Sequence, residues 1–202
     1  MDTSVIFIII IAAIGPLLVY LTRYVDKGRT AAASRLWFVS VCAYVVYYLL
    51  ASGDVLDARI EPYYFALLWP IPAILALWLV DRIAAAESPV PYFKWIIYFM
   101  VGLIFAFLVD LASGATGWYA YNATINATAS ITSPVNGMQI PAMALLMLGV
   151  LMVGVFFLSD PVFKRLKKKV SPSSATFALI GLAFILGGIV WVVTELVMGL
   201  FK

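Results

Sequence analysis

Residues 110–141 read DLASGATGWYAYNATINATASITSPVNGMQIP. This is the longest stretch of the chain that is neither an apolar run nor a basic loop. Asp110 closes one apolar run, a glycine–aromatic segment follows, then two Asn-x-Thr sequons, and Gly137 and Pro141 open the next run. The runs on either side are too apolar for a soluble core. The chain of 202 residues is 65% hydrophobic and 11% charged, with a mean hydropathy of +1.07. A soluble domain carries roughly 25% charged residues, so the expected solvent is a bilayer.

Six runs are long enough to cross hydrocarbon, which takes about 20 apolar residues. They cover about 4–22, 34–52, 62–80, 93–112, 138–158 and 174–200. The expected fold is all-α: a single integral membrane domain, residues 1–202, with six transmembrane helices and an external loop at 113–137. Six spans also divide into two sets of three, 4–80 and 93–200, which would be inverted relative to each other. The first run, Val5 to Tyr20, has no basic region ahead of it and reads as a retained span, not a cleaved leader. Pro70 and Pro72, in WPIP, are expected to kink or unwind the third helix.

Basic residues orient the spans. Eleven of the thirteen Lys and Arg fall on one side: Arg23, Lys27, Arg29 and Arg35; Arg82 and Lys94; Lys164, Arg165, Lys167, Lys168 and Lys169. The positive-inside rule places these in the cytoplasm of a multi-pass cell-membrane protein, with both termini external. Asn122 and Asn126 head the two sequons, and this topology puts both on the external, glycosylatable side. The KRLKKK run reads as a juxtamembrane cluster facing anionic lipid, not as a nucleic-acid site. The following SPSS reads as a turn and helix cap.

The chain has no histidine and one cysteine, Cys42, inside an apolar run. Histidine-based acid–base chemistry and the usual zinc, copper and haem sites are thereby excluded. No phosphate-binding loop, dinucleotide fingerprint, nucleophile elbow or metal-ligand spacing is present. No cofactor or metal is expected.

Ionisable residues in a span are costly and point to function. Three acids qualify, all at the outer end: Glu61 opens span three, Asp110 ends span four, and Glu195 lies inside span six. Asp54, Asp57 and Arg59 lie nearby in sequence. The functional reading is a shared polar pocket in which a protonated carboxyl could protonate an olefin and aromatic faces could stabilise the cation. Tyr63, Tyr64, Trp69, Trp118, Tyr119 and Tyr121 are the candidate lining. The alternative is an ordinary interfacial aromatic belt with acids reaching headgroup water.

The segment from Asp110 through Gly117, Trp118, Tyr119, Tyr121 and Asn122 to Gly137 resembles the carotenoid membrane-cyclase superfamily, which includes the lycopene cyclase domain and carotenoid hydratases. Ile60 to Pro70, with Glu61 and Phe65, is similar to a second motif of that family, a helix start with paired glutamates and phenylalanines. The resemblance implies three-span units used in pairs, an isoprenoid substrate, and acid roles for Asp110 and Glu61. The chain departs from the pattern at Gln139-Ile140-Pro141, where an acidic pair would stand, and at Pro62, which replaces the second glutamate. Tyr64 to Asp81 also looks like the third helix of microbial rhodopsins, but the last span has no lysine for a retinal Schiff base.

Three functions follow as expectations. One is a membrane protein acting on or binding an isoprenoid-type lipid, as an acid-catalysed cyclase or hydratase with Glu61, Asp110 and Glu195 as acids. Another is a non-catalytic small subunit of a larger membrane complex. The third is a six-helix transporter or substrate-binding membrane component. Expected partners are membrane lipid, an isoprenoid ligand and other membrane proteins, with no nucleic acid.

Overall fold

The computed structural model describes residues 14, 30–52, 56–58, 61, 63–84, 92–121, 130–135 and 137–200. The first expected span, residues 4–22, lies outside the described residues except for Ile14, as do Asp54, Arg59, Pro62, Asn122 and Asn126. In chain order the elements are α1 (Thr30–Ala51), β1 (Leu56–Ala58), α2 (Tyr63–Ala66), α3 (Pro70–Ala84), α4 (Phe93–Thr116), β2 (Tyr119–Tyr121), β3 (Ser130–Thr132), β4 (Gln139–Pro141), α5 (Ala142–Phe157), a π-helical turn (Leu158–Val162), α6 (Phe163–Leu166) and α7 (Pro172–Leu200). Five helical segments are long and apolar enough to cross a membrane: Thr30–Ala51, Tyr64–Ile83, Phe93–Thr116, Ala142–Leu166 and Pro172–Gly199.

α1 is the hub. It packs against α3, α5 and α7, while α3, α4, α5 and α7 follow one another around it as an arc. The outward faces are apolar. α7 exposes Phe177, Phe184, Ile185, Ile189 and Leu196, and α4 exposes Ile96, Met100, Ile104 and Leu108. Water would not tolerate this many large apolar side chains on two helix faces.

Small residues set the helix spacing, as expected where no hydrophobic effect drives one span against another. α1 and α7 approach most closely at Gly187, where an added Cβ would stand 2.2 Å from the Ala43 carbonyl oxygen. α4 and α5 cross at Gly102 and Gly149. A Cβ on Gly102 would fall 2.8 Å from the Met152 Cβ, and one on Gly149 would fall 3.0 Å from the Phe99 ring. Beside that crossing the Tyr44 hydroxyl of α1 donates to the Leu148 carbonyl of α5 at 2.9 Å, a buried bond joining hub to arc.

The WPIP segment does unwind. Tyr64, Leu67, Leu68, Trp69 and Ile71 each donate to the carbonyl three residues back, at 3.0–3.3 Å. The chain is thus a tight turn between α2 and α3, and the regular helix restarts at Pro70, a position that needs no N–H. A second irregularity is the π-helical turn around Pro161. The Phe163 N–H reaches back to the Leu158 carbonyl, while the Arg35 Nε donates to the Ser159 carbonyl at 3.4 Å and the Arg35 guanidinium lies 4.0 Å from the Phe163 ring centroid. α7 starts as its sequence suggests: Ser171 caps it, with the Ser174 N–H donating to the Ser171 Oγ at 3.2 Å, and Pro172 opens the first turn.

Of the region expected as an external loop at 113–137, the described residues include the end of α4 and two short strands. α4 runs on to Thr116, and Gln139–Pro141, expected within span five, is instead a strand. Two short antiparallel ribbons result. In the first, β1 pairs with β2, Leu56 opposite Tyr121 and Ala58 opposite Tyr119. In the second, β3 pairs with β4, Ile131 opposite Ile140. Gly137, at φ 73°, makes the turn of the second ribbon, and its N–H donates to the Ser133 carbonyl at 3.0 Å.

Replacing Gly187 with alanine should force α1 and α7 apart and cost about 1–3 kcal/mol. Gly181→Ala, on the same helix but with nothing within 4 Å of the added Cβ, should leave stability unchanged or raised. Thermal unfolding of the two variants in detergent, followed by circular dichroism, checks the contrast.

Candidate functional site

The site grows from the end of α4. Gly117 stops the helix in the left-handed conformation (φ 66°, ψ 29°), and the Gly117 and Trp118 N–H groups both fold back onto the Ser113 carbonyl. An L-residue with a Cβ would be strained there. The chain reverses and enters β2, where alternate side chains share a face. Tyr119 and Tyr121 therefore turn inward together, and both reach back to Asp110 on the last turns of α4. The Tyr119 hydroxyl donates to the Asp110 Oδ1. The Tyr121 hydroxyl lies 3.2 Å from Oδ1 and 3.1 Å from Oδ2. On the opposite face of the ribbon, Asp57 and Ala120 are exposed.

Asp110 is 1% exposed. Around it lies an aromatic cluster from four elements. Phe65 packs edge-on to Tyr119 (5.0 Å between centroids) and also contacts Trp118 and Tyr48. The Trp69 indole N–H donates to the Tyr48 hydroxyl at 3.2 Å, and the Trp69 ring stacks on Tyr44 at 3.8 Å. Tyr47 is hydrogen-bonded to Thr194 of α7 and packs edge-on to Trp191. Tyr47 and Tyr48 both lie within electrostatic reach of Asp110. Ser113, one turn beyond Asp110, is fully buried, and its hydroxyl has no partner among the described residues. Tyr121 is only partly buried.

The three acids read from the sequence have different fates. Asp110 is buried at the centre of the cluster. Glu61 and Glu195 are exposed, and the structure does not gather them with Asp110 into one buried pocket. For Glu195 the reason is helical phase. Ala183, Gly187, Val190, Thr194 and Met198 form the inward stripe of α7, and Glu195 is turned about 100° beyond Thr194.

The expected aromatic lining is also redistributed. Tyr119 and Tyr121 are ligands of Asp110. Trp69 is core, wedged between Tyr44 and Phe105, and Trp118 packs on Phe65. Tyr64 is half-buried against the core, and the side chain of Tyr63 is outside the described atoms. Gln139, standing where the resembling family would have an acid, bridges the second ribbon: its Oε1 accepts from Ser130 at 2.7 Å and its Nε2 donates to Thr132 at 3.1 Å. Sequence reasoning missed Tyr44, Tyr47, Tyr48 and Thr194. Three tyrosines at i, i+3 and i+4 put three phenols on one helix face, and that spacing is the signal that could have found them.

Among the described residues no group of three or more metal-ligating side chains occurs. No family model, curated protein or solved structure matches the chain.

Burial pushes the Tyr119 and Tyr121 phenols well above their ordinary value, and the adjacent Asp110 carboxylate adds to the shift. The folded phenols hold their protons at a pH where unfolded ones, near 10, begin to lose them. Their contribution to stability is therefore complete below about pH 10 and is lost as pH rises beyond it. The melting temperature in detergent should fall steeply once pH rises beyond about 10, and the double variant Tyr119→Phe/Tyr121→Phe should show a shallower alkaline fall from a lower starting value.

Proposed function

We propose that the chain is a polytopic membrane protein, basic loops cytoplasmic, that binds an isoprenoid-type lipid at its outer end and uses Asp110 as an acid on it. The observation that carries this reading is a carboxylate buried among phenols and aromatic rings at the end of a membrane-length helix. Carboxylates in such surroundings are functional more often than architectural. In the proposed reaction the Asp110 carboxylic acid gives its proton to a carbon–carbon double bond. The π electrons form the new C–H bond, leaving a carboxylate and a carbocation. Aromatic faces such as Phe65 and Trp118 favour that cation electrostatically. Loss of a proton after ring closure, or addition of water, quenches it and returns a proton to the carboxylate. Tyr121, hydrogen-bonded to both oxygens and only partly buried, is the group through which Asp110 would exchange protons with the outside.

A non-catalytic subunit of a membrane complex is the second reading. The exposure of Glu61 and Glu195 favours it, because the expected second acid is not held beside the first. So does the occupation of both Asp110 oxygens by the protein's own phenols. Here the cluster would be a tie between helices and its chemistry silent.

The two readings separate in one experiment. Wild type and Asp110→Asn are purified in mild detergent, and retained lipids and proteins are identified by mass spectrometry. An isoprenoid retained by both, with a cyclised or hydrated product only in wild type and turnover reduced at least about a hundredfold in the variant, is the expected result. Bulk phospholipid alone, together with a stoichiometric partner protein, would remove the enzyme reading in favour of the subunit.

A further inference from the structure

At the basic end of the bundle Ala31, Arg35 and Phe38 of α1 recur at i, i+4 and i+7, which places them on one helix face. Phe163 of α6 and Ile180 of α7 stand across from them, and a groove of about 360 Å³ lies between. That volume is within the roughly 300–1,000 Å³ of small-molecule sites. The lining is apolar except for Ser34, Arg35 and Thr176. The two hydroxyls are committed to their own helices, Ser34 donating to the Thr30 carbonyl at 2.9 Å and Thr176 to the Pro172 carbonyl at 3.0 Å. Arg35 is not committed in this way. Pro161 has no N–H, and in the π-helical turn around it the Phe163 N–H bonds Leu158 and Asp160. In an α-helix that N–H would bond the Ser159 carbonyl. The Ser159 carbonyl accepts from the Arg35 Nε instead, at 3.4 Å, and the Phe163 ring lies 4.0 Å from the guanidinium.

These two contacts fix the plane of the guanidinium. Its two terminal nitrogens make no hydrogen bond or ion pair among the described residues, and the side chain is half-buried. Asp160, whose field reaches Arg35, is itself paired with Lys164 at 3.0 Å. A planar fork with open donors matches the paired oxygens of a phosphate. In an apolar groove it suits a phosphate that carries a hydrocarbon chain. The exposed Arg165, Lys167, Lys168 and Lys169 that follow Phe163 favour an anion in the same region. We propose that this groove holds one anionic phospholipid, its phosphate on the terminal nitrogens of Arg35 and one acyl chain between Phe38 and Ile180. The diffuse attraction of a basic run for anionic lipid would need no such groove; here one lipid is held at one named side chain. The site is separate from Asp110 and does not depend on the reaction proposed there.

The test uses the full chain in detergent, stripped of lipid and titrated with phosphatidylglycerol or phosphatidylcholine of matched chains. Bound adducts are counted by native mass spectrometry. Arg35→Gln removes the charge, and Thr176→Phe fills the groove while leaving Arg35 in place. Lys168→Gln, on the exposed basic turn, is the control. Melting temperature confirms that each is folded, and if one groove variant is not, the other decides. The first phosphatidylglycerol adduct should form at least about tenfold more tightly than the first phosphatidylcholine adduct. Each groove variant should weaken it about tenfold, the worth of one charge-assisted hydrogen bond, and the control should leave it unchanged. Soluble glycerol phosphate should fail to compete. Equal binding of the two lipids, or an unchanged first adduct in the folded groove variants, would overturn the proposal. So would an equal loss in Lys168→Gln, which would assign the lipid to the basic surface, or full competition by glycerol phosphate, which would assign the site to a free phosphate ester.

Discussion

The hydrogen bonds from Tyr119 and Tyr121 to Asp110 determine how the acidic end of the bundle is built. A carboxylate with 1% exposure at the end of a helix must find donors within the protein, because leaving it unsatisfied would cost several kcal/mol. α4 cannot supply them from its own backbone, whose N–H groups are committed to the helix. They come from the chain just beyond it, and that requires an abrupt reversal. Gly117 supplies the reversal, and the extended geometry of β2 aims two phenols at one target. β1 then pairs with β2 and covers it, with Leu56 and Tyr121 facing inward and Asp57 facing out. The ribbon that caps the bundle therefore follows from how the carboxylate is satisfied.

The second constraint is the hub position of α1. A helix surrounded on several sides needs small residues where it is closest to its neighbours, and large interlocking ones elsewhere. Both are present. Ala43 meets Gly187, and immediately beside it Tyr44 crosses to the Leu148 carbonyl and stacks on Trp69. Tyr47 and Tyr48, one turn on, tie α7 and the α2–α3 turn into the same cluster. One face of one helix thus links α5, α3 and α7 to the surroundings of Asp110. A substitution at Tyr48 acts on the site through Trp69 and Phe65, without touching the carboxylate.

Much of this architecture is legible in the amino-acid sequence. Apolar runs and their lengths give the helices, and the Gly117-x-Tyr119-x-Tyr121 spacing contains both a reversal and a shared strand face. Asp110 is legible as a membrane-end acid. Glu61 and Glu195 are exposed while Asp110 is buried, because lying at the same end of the bundle does not fix the direction of a side chain. That depends on helical phase, and the nearly featureless apolarity of α7 hides its phase in the sequence. The ribbons escape a sequence reading for a related reason. Each strand has three residues, too short for period-two alternation to stand out against an aromatic-rich background. The tyrosine face of α1 is hidden in the same way, inside a run whose hydropathy dominates its pattern.

A structural tie explains the geometry of Asp110 but not its chemistry. A neutral asparagine, or a backbone carbonyl, could accept from two phenols without the penalty of burying an ionisable group. In the second ribbon Gln139 joins Ser130 and Thr132 with no charge, at an exposed position. What the acid adds is the capacity to hold or release a proton. Tyr121 lies at the partly buried edge of the cluster, and the Ser113 hydroxyl, buried and unpartnered among the described residues, stands one turn from Asp110. The burial of an ionisable group among aromatic rings, where a neutral acceptor would satisfy the same donors, is the physical reason to treat the Asp110 cluster as a site and not only as a joint.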